Sequence, residues 1–221
     1  MKVSKFIHSC LLLEKGDDKL LFDPGAFSFA EGLVDPGEFK GISAVVLTHF
    51  HPDHIDDRSL KTITGNNPDA VLLANTEIAE KLGEKGFEVD VFSEGAREIG
   101  EFTLAAFDAK HADILNSEAP ENTAYIVDGT LLIPGDSYGP SVEKRVGIPV
   151  LALPVMAPWT TELETASIAV KMGPKKIIPI HDGYTKDFFL KMRYDNFRKY
   201  FERYDIEFIP LSGVGDSVEI A

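Results

Sequence analysis

Thr48-His49-Phe50-His51-Pro52-Asp53-His54 is the stretch on which the reading of this chain turns. His49, His51, Asp53 and His54 all carry side chains that bind metals, with Phe50 and Pro52 as spacers. The preceding Ile42-Ser43-Ala44-Val45-Val46-Leu47 is apolar and β-branched, which predicts a buried strand. Residues 56–64 read as a helix. Three imidazoles and a carboxylate at a strand end suit a divalent ion; the competing reading is a chance surface cluster. The chain has only six histidines, and three fall here, which favours the ion.

Around that stretch the composition is that of a globular domain. Apolar content of 44% and charged content of 26% exclude a disordered chain, and 221 residues suit a single domain over 1–221. A net charge of −14 disfavours a phosphate backbone and attracts cations, so no nucleic-acid partner is expected. No apolar window is long enough to span a bilayer, and Met1-Lys2-Val3-Ser4-Lys5 enters a strand pattern directly. Neither a membrane segment nor a signal peptide is therefore expected. Cys10 stands alone, which rules out an intrachain disulfide and predicts a cytoplasmic location.

Working outward, residues 2–8, 10–14 and 19–23 read as antiparallel strands joined by tight turns, with His8 at the end of the first. Residues 24–41 form a long loop whose aromatics, Phe27, Phe29 and Phe39, either cover a pocket or pack as a satellite cluster. Beyond the histidine cluster come a strand at 70–74, a helix capped by Asn75-Thr76 and running through about Lys85 to Gly86, and an alternating strand at 87–92. Residues 93–96 read as a turn, and 98–109 as one or two strands delivering His111. A polar loop to Asn122 follows, then a hairpin over 123–133 ending in Pro134-Gly135-Asp136-Ser137. Residues 148–153 read as a strand. Thr161 and Glu164 make a capping-box pattern for a helix stopped by Gly173-Pro174. A strand at 175–180 hands over to His181. In a final helix, about 186–204, Phe189, Met192, Phe197, Tyr200, Phe201 and Tyr204 suggest one core-facing side. Residues 207–210 and 216–220 read as a closing strand pair. Two face-to-face sheets with helices outside satisfy this order.

His111, Asp136 and His181 each fall at or just after a predicted strand end, where a rigid sheet presents ligands along one edge. With the 49–54 cluster they make seven nitrogen and oxygen donors, more than one tetrahedral ion takes. Two ions sharing a carboxylate and a water use them economically. Such pairs polarise a substrate oxygen and lower the pKa of bound water from 15.7 to about 7.

His49-Phe50-His51-Pro52-Asp53-His54 resembles the His-x-His-x-Asp-His signature of the metallo-β-lactamase superfamily. His111, Gly135-Asp136-Ser137 and Ile180-His181 resemble its later motifs in order, and Asp23 before Pro24-Gly25 resembles its first. Ile7-His8-Ser9, Leu21-Phe22-Asp23-Pro24 and Ile178-Pro179-Ile180-His181 look like its UlaG-like and UPF0173-type branch. The resemblance implies an α/β protein, an αββα four-layer sandwich of two mixed sheets. It also implies that His49, His51 and His111 hold one metal, that Asp53, His54 and His181 hold a second, and that Asp136 bridges them. Zinc is the expected ion, with manganese or iron as alternatives. Asp23 would either fix a ligand histidine or serve the Asp-Pro turn, and His8 would face the substrate.

The expected activity is hydrolysis of a small-molecule lactone, ester or phosphodiester by a metal-bridging hydroxide. Metal-bound water, Asp53 and His8 are the candidates for protonating the leaving group. The alternatives are a mononuclear iron oxidoreductase of the persulfide-dioxygenase kind, a nuclease, and a metal-binding protein without turnover. Lys110-His111-Ala112-Asp113 lacks the glycine and proline usual around this histidine in glyoxalase-like members, and so leaves the substrate open. Exposed aromatics on the 25–41 loop or the last helix offer a contact for a homo-oligomer.

Overall fold

The computed structural model describes residues 1–115 and 118–220; the middle of the expected polar loop, 116–117, and residue 221 lie outside the described residues. In chain order the first half runs β1 (Lys2–Ile7), β2 (Cys10–Lys15), β3 (Asp18–Phe22), α1 (Ala26–Phe29), β4 (Ala44–Val46), α2 (Asp57–Asn66), β5 (Val71–Ala74), α3 (Thr76–Gly83) and β6 (Asp90–Val91). The second runs β7 (Gly95–Ile99), β8 (Phe102–Asp108), β9 (Thr123–Val127), β10 (Leu131–Ile133), α4 (Pro140–Glu143), β11 (Val150–Pro154), α5 (Glu162–Met172), β12 (Lys176–Ile180), α6 (Asp187–Glu202), β13 (Glu207–Phe208) and β14 (Asp216–Glu219).

These strands form two seven-stranded sheets, ordered β14-β1-β2-β3-β4-β5-β6 and β13-β12-β11-β10-β9-β8-β7. Each is antiparallel at one side and parallel at the other: β3 and β4 pair in parallel, as do β10 and β11. The inner faces interlock through Leu11, Leu13, Phe22 and Val46 of the first sheet and Phe102, Leu104, Tyr125 and Ile133 of the second. The Tyr125 hydroxyl lies 3.2 Å from the carbonyls of both Leu47 and Phe92, and so ties the second sheet to the end of the first.

The outer faces are covered by helices. Leu60 and Ile63 of α2 and Ile78 and Leu82 of α3 pack on Leu21, Val45 and Leu72. Ala169 and Met172 of α5 and Phe197 and Phe201 of α6 pack on Leu151 and Ile177. The order of layers is therefore αββα, as expected. The Thr161–Glu164 capping box forms, and Gly173 ends α5 in the left-handed conformation at φ 64.

Four local expectations are corrected. Only Asp90 and Val91 of the 87–92 segment join a sheet, at an edge where both are exposed, while Phe87 and Val89 pack on the α2–α3 side. The expected turn at 93–96 is shorter, because β7 already begins at Gly95. Residues 207–208 and 216–219 do not pair with each other: β13 extends the second sheet and β14 closes the first against β1. On α6 the buried side chains are Tyr194, Phe197 and Phe201, with Met192 and Tyr204 exposed. Met192 lies about 180° around the helix from Phe201, so both cannot face the sheet. The 24–41 loop divides its aromatics: Phe29 and Phe39 join the outer cluster, whereas Phe27 lines a cavity.

Candidate metal centre

All the candidate residues lie along one edge shared by the two sheets. His49, His51, Asp53 and His54 follow β4, His111 follows β8, Asp136 follows β10, His181 follows β12 and His8 follows β1. Parallel strands end on the same side, which is why motifs far apart in sequence converge here. Three of these edge residues hold left-handed backbone, His8 at φ 60, Asp23 at φ 43 and His181 at φ 63. Strain of this kind persists where surrounding contacts enforce it.

Two groups of donor atoms form. His49, His51, His111 and Asp136 offer atoms within 4.8 Å of one another, and so do His8, Asp53, His54 and His181. Asp136 stands between them. Its Oδ2 lies 3.7 Å from His111 Nε2 and 3.0 Å from His181 Nε2, and its Oδ1 lies 3.4 Å from His54 Nε2. His49 Nε2 and His51 Nδ1 face each other at 3.1 Å.

The donor set fits divalent cations. His54 Nε2, His111 Nε2, His181 Nε2 and Asp136 Oδ1 are buried and make no hydrogen bond. Each such orphan costs about 1–3 kcal/mol, so four around one point make sense as ligand atoms. Imidazole and carboxylate donors suit zinc, manganese or iron.

The candidate rings are braced from behind. Asp23, wholly buried, accepts the Thr48 N–H at 2.8 Å, the Thr48 hydroxyl at 2.7 Å and His54 Nδ1–H at 2.8 Å. Asp23 therefore holds the His54 ring as well as completing the turn. His111 Nδ1 and His181 Nδ1 meet the carbonyls of Ala112 and Met156 at 2.6 and 2.5 Å. Gly25 is required because a Cβ there would sit 1.8 Å from the Asp53 carbonyl oxygen.

Electrostatically the cluster holds protons where cations would sit. Burial disfavours charge on His54, yet the Asp136 and Asp23 carboxylates overcome it and raise its pKa well above the usual imidazole value. His181 is raised in the same way, against burial, chiefly by Asp136. Asp136 is held well below the carboxylate range by His181 and His54 despite burial. Burial pushes His49 well down and His8 to about 4.

The centre opens on a cavity of about 730 Å³. Asp53, Asp136 and His181 line its floor, and Phe27, Met156 and Trp159 contribute to its largely apolar wall. Arg193, paired with Glu162 at 2.8 Å, adds a cation, and Trp159 Nε1–H reaches Asp136 Oδ2 at 3.3 Å. His8 is fully buried beneath Phe27 and Tyr184 and does not line the cavity.

Two supports of the site carry no signal in the sequence. The Asn122 amide donates to Ala109 and Pro134 carbonyls at 2.7 and 3.0 Å and accepts the Asp136 N–H at 3.2 Å, binding the ends of β8 and β10 together. A single asparagine before a strand carries no signal of such a role. Lys5 and Asp182 form a buried ion pair at 2.5 Å, joined by Tyr194. Alternation along β1 would have placed Lys5 on a face, but only the fold brings Asp182 to it.

The profile of the beta-lactamase superfamily domain matches residues 2–181. Protein Rv0786c of Mycobacterium tuberculosis is 38% identical over 191 residues, covering 83% of this chain and 84% of that protein. The UPF0173 metal-dependent hydrolase YtkL of Bacillus subtilis is 28% identical over 199 residues, covering 82% and 85% respectively. Among solved structures, the metallo-beta-lactamase fold protein YhfI of Bacillus subtilis aligns with a TM-score of 0.70 at 19% identity, over 98% of each chain. That likeness bears on the fold alone, and it agrees with the αββα layers.

Proposed function

From the premise that this chain belongs to the beta-lactamase superfamily domain family, we propose that it is a metal-dependent hydrolase with a two-ion centre. The observation that carries the proposal is the convergence of unpartnered histidine and aspartate atoms on Asp136 at the floor of a cavity. YtkL, named a metal-dependent hydrolase, supports the reaction class.

In this reading His49, His51 and His111 would hold one ion and Asp53, His54 and His181 the second, with Asp136, whose oxygens approach His111, His181 and His54, shared between them. Bound divalent ions supply Lewis acidity and water activated near neutral pH. The chain's own part is to fix geometry and exclude bulk water. Asp23 and the Ala112 and Met156 carbonyls keep the protons of His54, His111 and His181 on Nδ1, leaving each Nε2 lone pair for an ion. Trp159 restrains Asp136, and with Phe27 and Met156 it shields the floor.

The substrate proposed is a small molecule, a lactone, ester or phosphodiester, whose apolar part lies against Phe27, Met156 and Trp159. The −14 charge argues against a nucleic-acid substrate. Purified without chelator and screened against those three substrate classes, the protein should turn over at least one. Activity should fall at least 100-fold on chelation or in Asp136→Ala. Bound iron with no hydrolysis of any class would move the reading to redox chemistry.

A further inference from the structure

For five of the six histidines at this edge the surroundings fix which ring nitrogen carries the proton, and one of the five differs. His54, His111 and His181 each direct Nδ1 at an acceptor, the Asp23 carboxylate and the Ala112 and Met156 carbonyls. His49 Nδ1 lies 3.0 Å from the Thr48 hydroxyl oxygen, whose own proton goes to Asp23. In each of these rings Nδ1 carries a proton, which makes Nε2 the atom left for an ion. At His8 the polarity is reversed: the Gly183 backbone N–H donates to Nδ1 at 3.0 Å. A backbone amide nitrogen only donates, so His8 Nδ1 carries no proton. In the neutral ring the proton must then sit on Nε2, which lies 3.1 Å from Asp53 Oδ2.

Although His8 falls within the second donor group, we infer that it is not a ligand but a positioning residue: its Nε2–H, locked in that tautomer by Gly183, orients the Asp53 carboxylate toward the centre. Binding an ion through Nε2 would leave the ring with no proton on either nitrogen, an imidazolate. Metal-bound histidines normally have the opposite arrangement, donating from their second nitrogen. The inference rests on the metal-centre reading above.

The surroundings of Gly183 are built to hold that amide in place. The His181 N–H donates to the His8 carbonyl at 3.1 Å, so the two left-handed residues brace each other. Between His181 and Gly183, the buried Asp182 is tied to Lys5 at 2.5 Å and to the Tyr194 hydroxyl, which fastens the segment to β1. A Cβ at residue 183 would lie 2.8 Å from Ile7 Cγ2 and 2.9 Å from His8 Cβ, so only glycine lets the amide come so close. Buried outside the cavity lining, His8 acts on Asp53 from behind.

The test uses the full chain with nitrogen-15 histidine, loaded with cadmium-113. Long-range proton–nitrogen correlations give each tautomer, and cadmium–nitrogen couplings identify ligands. His49, His51, His54, His111 and His181 should couple to cadmium, while His8 shows no coupling, a protonated Nε2 and a bare Nδ1. Coupling at His8 Nε2, or a proton on its Nδ1, overturns the inference. If none of the other five rings couples, the metal-centre reading itself fails and takes this inference with it. His8→Phe should still bind the full complement of cadmium at saturation, with one ion weakened about 10–100-fold. His8→Gln, which keeps a donor near the Nε2 position, should recover most of that affinity. Loss of a whole cadmium equivalent in both variants at saturation contradicts the assignment.

Discussion

Asp23→Asn tests how the fold controls a ligand without touching an ion. The carboxylate accepts three hydrogen bonds: Thr48 N–H on Oδ1, and the Thr48 hydroxyl and His54 Nδ1–H on Oδ2. An asparagine keeps the first but turns an N–H₂ toward the other two. His54 can then satisfy the new donor only by accepting at Nδ1, which moves its proton to Nε2 and blocks the atom meant for the ion. Two charge-assisted bonds worth about 1.5–3 kcal/mol each are lost and partly replaced, so the metal-free protein should lose about 3 kcal/mol. For a domain of this size that lowers Tm by about 6–12 °C, within the margin of a stable fold. Affinity for the ion held by His54 should fall about 10–100-fold, with the His49–His51–His111 ion less affected. Thermal melts in chelator separate the stability loss from the metal loss, and competition titration against a metal indicator reads the affinity. An Asp23→Asn protein that binds both ions as tightly as the parent would refute the tautomer argument.

Gly25→Ala, whose Cβ would fall 1.8 Å from the Asp53 carbonyl oxygen, must push the 51–54 loop aside. It should cost about 2–3 kcal/mol in urea unfolding and weaken metal binding in the same preparation. Metal uptake should weaken in acid: the pKa values of His54 and His181 are raised, so below those values an entering ion must displace their protons. Apparent affinity should drop by up to about tenfold per pH unit for each proton displaced, and titrations in buffers of different ionisation enthalpy should show proton release. Affinity that does not change with pH would contradict it. Tyr125→Phe, which removes the hydroxyl between the Leu47 and Phe92 carbonyls, should cost about 1 kcal/mol in denaturant unfolding and leave metal affinity unchanged.

The donor residues were legible because each closes a strand whose apolar pattern is strong, and strand ends in parallel sheets share an edge. His49 to His54 after β4 and His181 after β12 needed no tertiary information to be singled out. What holds those residues was less visible. Asp23 left two readings open in sequence, and the structure answers both, since its carboxylate reaches Thr48 and His54, 25 and 31 residues away. Lys5 reads as an ordinary strand lysine until the fold brings Asp182, 177 residues distant, against it. The errors in the fold share a cause. At 87–92 and 207–219 local alternation was real, but sheet edges and crossovers decide pairing, and those are properties of the whole chain. His8 shows the limit most clearly: its place at the end of β1 was readable, but its proton is fixed by an amide 175 residues away.

The proposed centre takes two divalent ions joined by Asp136. Metal analysis of protein purified without chelator and saturated with zinc, beside Asp136→Ala, tests it most directly. Two ions per chain are expected in the parent and fewer in the variant. A parent that holds none, or one ion unaffected by Asp136→Ala, would contradict it.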